Sequence, residues 1–142
     1  MAVAQGLAVL WKGFDEIMPY APVISLAYSP LLIRDRPQLA RDFMTAYLRG
    51  VRDYNDAFLK NINRADAVSV LIKHTPIKDP TLYDRMVLAG LNPDGYINLE
   101  GMRADQEWFL AREVLRERVD LDTLVDHQYV EYALGRLGRY QP

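Results

Sequence analysis

The 142-residue chain contains no cysteine. Disulfides, thiolate metal sites and cysteine nucleophiles are therefore excluded, and either an oxidising or a reducing compartment is compatible with the composition. Histidine is almost as scarce, with only His74 and His127. A metal site needs three or four convergent ligands, and no His-x3-His or HExxH spacing occurs. Each histidine reads as a helix-end or surface residue, His74 at a helix C-terminus where an imidazolium complements the dipole.

Other absences narrow the field further. Eight glycines are scattered singly as helix stops, so no phosphate-cradling G-x-x-x-x-G-K or G-x-G-x-x-G loop exists. No apolar run approaches the ~20 residues of a membrane-spanning helix. Charge of one sign is missing too: a net charge of −2 leaves no electrostatic footprint for nucleic acid or an anionic membrane. The basic residues from Arg34 to Lys60 alternate with acids and read as a solvated helix face. Ser25, Ser29 and Ser69 lie in no G-x-S-x-G context, so no nucleophile is specified.

What is present is an ordinary globular composition, 50% apolar and 25% charged, long enough to bury a core as one domain over 1–142. Residues 1–33 read as a strand- or hinge-like segment and 34–142 as helical. Leu7–Trp11 and Val23–Tyr28 are the expected strands. A long helix opens at Pro37, with Asp35 or Arg36 as its cap, Asp35 being the better chemically. Its apolar residues Leu39, Phe43, Met44, Tyr47, Leu48, Val51, Tyr54 and Phe58 recur at steps of three and four. Arg41, Asp42, Arg49, Arg52, Asp53 and Asp56 make the opposite, solvated face.

Further helices are expected over 65–74, ended by Thr75-Pro76; from Pro80, capped by Asp79 and stopped at Gly90; and from Asn98 to about Arg118. The last of these puts Met102, Phe109, Leu110 and Val114 in the core. Leu91–Gly95 reads as a turn, Asp122 as the cap of a short helical turn, and 129–137 as a final helix with Tyr129, Val130, Ala133, Leu134 and Leu137 apolar, stopped by Gly138. The acid pairs Asp15-Glu16 and Asp120/Asp122 stand beside helix-start signals, which makes capping a better account of them than paired acid–base chemistry.

The stretch VISLAYSPLLIRDRPQLARDFMTAYLRGVRDYNDAFLK, followed by LIKHTPIKDPTLYDRMV, GLNPDGYINLEGMRADQEWFLAREVL and VDLDTLVDHQYVEYAL, resembles the SsuA/THI5-like (NMT1-like) solute-binding proteins. The resemblance spans essentially the whole chain and about the second half of such a protein. It implies the C-terminal portion of an α/β periplasmic binding protein type II-like fold, mainly α with a few strands. It also implies an ABC importer component that captures a sulfonate, taurine, nitrate or a pyrimidine precursor and hands it to a permease. No catalysis, metal or cofactor is implied by that role.

Periplasmic location follows from the resemblance, although MAVAQGLAVLWKGFDEIMP lacks the basic and unbroken apolar regions of a signal peptide. The segment looks instead like the family's inter-lobe region, which predicts that opening strands of the first lobe are encoded elsewhere or lost. By the same resemblance Tyr20, Ser25 and Tyr28 are candidate ligand contacts lining the inter-lobe cleft. The competing account of Val23, Ile24, Leu26 and Tyr28 is a buried strand. A second functional reading is a stand-alone helical module that dimerises through an apolar face left uncovered. A third, an enzyme like the group's pyrimidine-synthesis members, ranks last because the resemblance implies a cysteine-rich motif there.

Overall fold

The computed structural model describes residues 3, 5–17, 22, 24–86 and 91–141, with backbone alone at Phe14 and Asp15. The chain is mainly helical: α1 (Phe14–Ile17), α2 (Pro30–Asp35), α3 (Pro37–Leu59), α4 (Arg64–His74), α5 (Pro80–Arg85), α6 (Leu99–Ala111), α7 (Leu121–Leu124) and α8 (Gln128–Leu137). It forms two compact units, Met1–Leu26 with Ile97–Val125, and Ala27–Tyr96 with Asp126–Pro142.

In the second unit the core lies where α3 packs on α8. Ala40, Met44 and Leu48 meet Tyr129, Val130, Ala133 and Leu134, with Tyr28, Leu32, Tyr96 and Leu137 at the margin. The α8 contribution follows the sequence stripe residue for residue. On α3 the buried face is Ala40, Met44, Thr45, Leu48, Val51, Asn55 and Ala57, and this corrects the expected stripe. Phe43 is 47% exposed and Leu39 50%, although both lie in the apolar periodicity. Small residues win those places because closely packed helices need backbone proximity, which Ala40 and Ala133 permit at 0% exposure.

Asn55 is the polar member of that face. Its amide nitrogen donates to the Leu91 carbonyl at 2.6 Å, and its Oδ1 accepts from the Leu91 N–H at 3.2 Å. Both backbone groups of Leu91, at the start of the turn, are thereby satisfied inside the fold. Gly95 follows, at a φ of +76°.

The helix ends follow local chemistry. Ser29 caps α2 by accepting from Leu32 N at 3.2 Å, and Pro30 fills the first helical position. Asp79 caps α5 through Thr81 N at 2.9 Å, with Pro80 behind it, as the sequence predicts. Arg36, not Asp35, occupies the N-cap of α3 and makes no side-chain cap bond. Asp35 is instead held by the neighbouring Arg34 at 2.6 Å. The expected stop at Gly90 falls outside the described residues; α5 ends at Arg85.

The first unit contains α1, α6 and α7. Asn98 caps α6 through Gly101 N at 3.1 Å. The helix ends at Ala111 rather than near Arg118, because Glu113 takes a left-handed φ of 56° and Val114 N returns to Phe109 O at 3.0 Å. Gln106 is its buried residue, accepting from Val119 N at 2.7 Å, whereas Phe109 and Val114 are exposed. Arg118 clasps Glu107 and Arg103 reaches Asp122, which ties the 112–124 segment back to α6. Asp120, not Asp122, caps α7, accepting from Asp122 N at 3.0 Å.

Among the described residues there is no strand, which corrects the expectation for Leu7–Trp11 and for the described part of Val23–Tyr28. Strands are stabilised by ladder bonds and cross-strand pairs, and no segment pairs with these residues. Leu7, Val9, Leu10 and Trp11 are instead 77–89% exposed.

Candidate functional site

Tyr28 stands just before α2, turned into the second unit. Its hydroxyl donates to the Ala40 carbonyl at 2.8 Å. Its ring meets Tyr129 edge-on at 4.9 Å and Phe43 at 6.0 Å. Burial, and then the neighbouring Tyr129, push its phenol above the ordinary tyrosine range. It is thus a hydrogen-bonded wedge at the margin of the α3–α8 core. Ser25, in the other unit, is exposed. Tyr20 lies outside the described residues.

The remaining titratable groups have local structural work. Glu16 accepts from Gly13 N at 2.8 Å and Asp120 caps α7, in keeping with the capping account of both acid pairs. His74 is exposed in the last turn of α4 beside Lys73. His127 occupies the N-cap position of α8 without a side-chain cap bond, its ring edge-on to Tyr96 at 5.2 Å and its Nε2 buried without a partner. Asp126 performs the capping, accepting from Gln128 N at 2.9 Å. Among the described residues no cluster of histidine or acids is arranged to hold a metal ion.

The densest polar constellation surrounds Arg52, which the sequence assigned to the solvated face of α3. Its side chain is only 14% exposed. It donates to the Pro93 carbonyl at 3.0 Å, to Asp94 at 3.1 Å, and to the Gly138 and Leu137 carbonyls at 2.7 and 3.5 Å. The last two are end carbonyls of α8, where a guanidinium satisfies orphan acceptors and faces the negative pole of the dipole. Asp94 also accepts from Tyr140 N at 2.9 Å and Arg139 at 3.3 Å. Burial pushes the Asp94 carboxyl upward, but the Tyr140 N–H, Arg139 and Arg52 together hold it below the ordinary range.

Tyr140 closes the clasp from the other side. Its hydroxyl donates to Asp56, and Lys60 lies 3.1 Å from the same carboxylate and 4.6 Å from the Tyr140 ring centroid. The Tyr140 bond, then Lys60, hold Asp56 below the usual carboxylate range. Arg52 and Asp56, four residues apart on α3, therefore bind a tail and a turn rather than water. The i, i+4 spacing was legible; the partners, more than thirty residues distant, were not.

Two cavities open within the second unit. One, of about 390 Å³, runs between α3 and α4 past Gly50, Asp53, Ile62, Asp66, Val70 and Leu71. The other, of about 430 Å³, lies by the α3–α4 connection and is lined by Lys60, Asn61, Arg64, Tyr83 and Asp84. There Arg64 is already committed, to the Tyr83 carbonyl at 2.8 Å and to Asp84 at 3.0 Å. No helix among the described residues is long and apolar enough to cross a membrane.

Comparison with known proteins returns no matching family model, no matching curated protein and no matching solved structure.

Proposed function

We propose that the chain is the C-terminal portion of an SsuA/THI5-like solute-binding component of an ABC importer. On this reading it captures a small anion or heterocycle in the periplasm by closure of two lobes and passes it to a permease, without catalysis. Tyr20, Ser25 and Tyr28 are its proposed ligand contacts. The hydroxyl of Tyr28 serves Ala40 in the present arrangement, so Ser25 is the described residue whose polar group is open to a ligand.

The observation that supports the reading is the uncovered apolar row Leu7, Val9, Leu10 and Trp11, 77–89% exposed and outside any helix. Such a row suits a strand of an α/β sheet whose neighbours come from elsewhere. The same row favours the second reading, a helical module that associates with its own copies.

A thermal-shift screen with alkanesulfonates, taurine, nitrate and aminopyrimidines tests capture. A bound ligand at 100 times its dissociation constant adds about 2.7 kcal/mol of stability, and Ser25→Ala lowers that gain. A flat response to every compound, with a concentration-dependent dimer in sedimentation, rejects capture by this chain and leaves the association module standing.

A further inference from the structure

The run Leu7–Trp11 leaves two kinds of surface open at once. Its large apolar side chains are almost fully solvated. Its backbone is open as well: among the described residues no N–H or C=O of Leu7–Trp11 enters a hydrogen bond. The chain on either side does bond, Gly6 N to Val3 O at 3.1 Å and Glu16 N to Gly13 O at 3.2 Å. A row of free donors and acceptors beside apolar side chains is the template on which another strand adds. None of residues 7–12 holds a positive φ, so pairing has no left-handed residue to undo. Gly6, at a φ of +71°, bounds the run on one side and α1 on the other.

The residues of the run select the occupant. In a strand Leu7, Val9 and Trp11 share one face and Ala8 and Leu10 the other, so both faces are apolar. Antiparallel pairing with a second copy about Val9 sets Leu7 against Trp11, Ala8 against Leu10 and Val9 against Val9. Such aliphatic and aliphatic–aromatic pairs are favourable. Charge agrees with the same register: Lys12 falls opposite Gly6 of the second copy, whereas parallel pairing would set Lys12 against Lys12. The area agrees too. Four large apolar side chains at this exposure amount to several hundred Å², at the upper end of the about 300–600 Å² found in one patch on a monomer and most of the ~800 Å² each partner gives to a standard interface. A two-stranded ribbon alone is marginal. The same unit, however, exposes Trp108, Val114 and Leu124, apolar surface on which a ribbon with two apolar faces can lie.

We propose that Leu7–Trp11 is a self-docking strand: two copies of the chain associate by antiparallel pairing of this run about a two-fold axis at Val9. This pairing rests on the association reading of the apolar row and gives it a partner and a register. Each copy gains from the other the ladder bonds its own chain does not provide. The contact uses the same edge of both copies, so it is isologous and closes at two.

The chain has no cysteine, so cysteines introduced one at a time into the full chain report the register. Directly opposed residues of an antiparallel pair lie ~4.5–5.5 Å apart at Cα, within the span of a disulfide. Under mild oxidation Val9→Cys is expected to cross-link to itself. Leu7→Cys alone is not, whereas an equimolar mixture of Leu7→Cys and Trp11→Cys is. Sedimentation of the native chain should show a concentration-dependent dimer. Val9→Lys and Val9→Glu should each weaken it by about tenfold or more, and mixing the two should restore it, because opposite charges then meet at the axis. A dimer that Val9→Lys leaves intact, or that cross-links as readily through Leu7→Cys as through Val9→Cys, overturns the self-docking strand and leaves association standing through another surface. A monomer at every concentration overturns both, and returns the row to a sheet completed by another chain.

Discussion

Gly95 closes directly over Leu48: a Cβ built on the glycine would stand 2.6 Å from Leu48 Cδ2. Leu48 is fully buried at the centre of α3, so its side chain cannot retreat without disturbing the contact with α8. The glycine also holds a φ of +76°, which other residues adopt only with strain. Gly95→Ala is therefore expected to destabilise the second unit by about 1–3 kcal/mol through overpacking and backbone strain. Leu48→Ala, which opens a cavity at the same place, should cost about 2–5 kcal/mol. In the double variant, urea melts should read less than the sum of the two losses, because truncating Leu48 makes room for the added methyl.

Asn55 holds Leu91 through both of its backbone groups. Asn55→Ala strands a donor and an acceptor inside the fold, and the expected loss is about 1–3 kcal/mol. Asn55→Asp keeps the size and the bond from Leu91 N but turns the donor toward the Leu91 carbonyl into a second acceptor. Hydrogen exchange should quicken first at Leu91 and the following turn in both variants, before the α3–α8 core opens.

The Arg52 clasp predicts a difference between two cations. Arg52→Lys keeps the charge but loses the fork that reaches Pro93, Asp94 and Gly138 together. It should recover less than half of the stability lost in Arg52→Ala, a loss of about 1.5–3 kcal/mol from hydrogen bonds to a charged group. Chemical denaturation of the three proteins measures this directly.

Acid sensitivity should be concentrated at the same place. Asp94 and Asp56 have folded-state affinities for protons below their unfolded ones. The unfolded chain therefore takes up protons first, and stability rises with pH through that window. The contribution is complete above the unfolded carboxylate range and is lost as pH falls below about 4. Melting temperatures between pH 2 and 6 should show this slope in the native chain and a shallower one in Asp94→Asn; equal slopes would refute the assignment.

Tyr28 offers a test that separates packing from ligand contact. Tyr28→Phe removes the bond to Ala40 while keeping the ring against Tyr129 and Phe43. A loss of about 0.5–1.5 kcal/mol is expected. If any solute that stabilises the native chain stabilises Tyr28→Phe equally, the hydroxyl takes no part in capture.

Much of the helical order was readable in the chain, because its signals are local. Asp79-Pro80, Asn98, Pro37 and Gly138 each act on groups within a turn of themselves, and each stands at the helix end expected of it. The apolar stripe of α8 was equally legible. The stripe of α3 was not, since Phe43 fits the period as well as Ala40 does. The choice depends on how close α8 approaches, and periodicity carries no distance. The α6 boundary failed for a related reason: nothing in REVLRER marks Glu113 as the left-handed residue that turns the chain.

The candidate ligand contacts rest on resemblance and stay proposals. Asp53 was read as part of the solvated face of α3, and it is exposed there.

By itself the sequence determined that this protein is built of helices, where most begin, and which chemistries its missing cysteine and scarce histidine forbid. Those properties act over a few residues, within the reach of a hydrogen bond or a rotamer. Only the tertiary structure decided that Arg52 grips a turn and a C-terminal tail, that Gly95 must be bare, and that Leu7–Trp11 join no strand among the described residues. Each of those depends on segments distant in the chain meeting in space, where polar groups must find partners and atoms must not overlap.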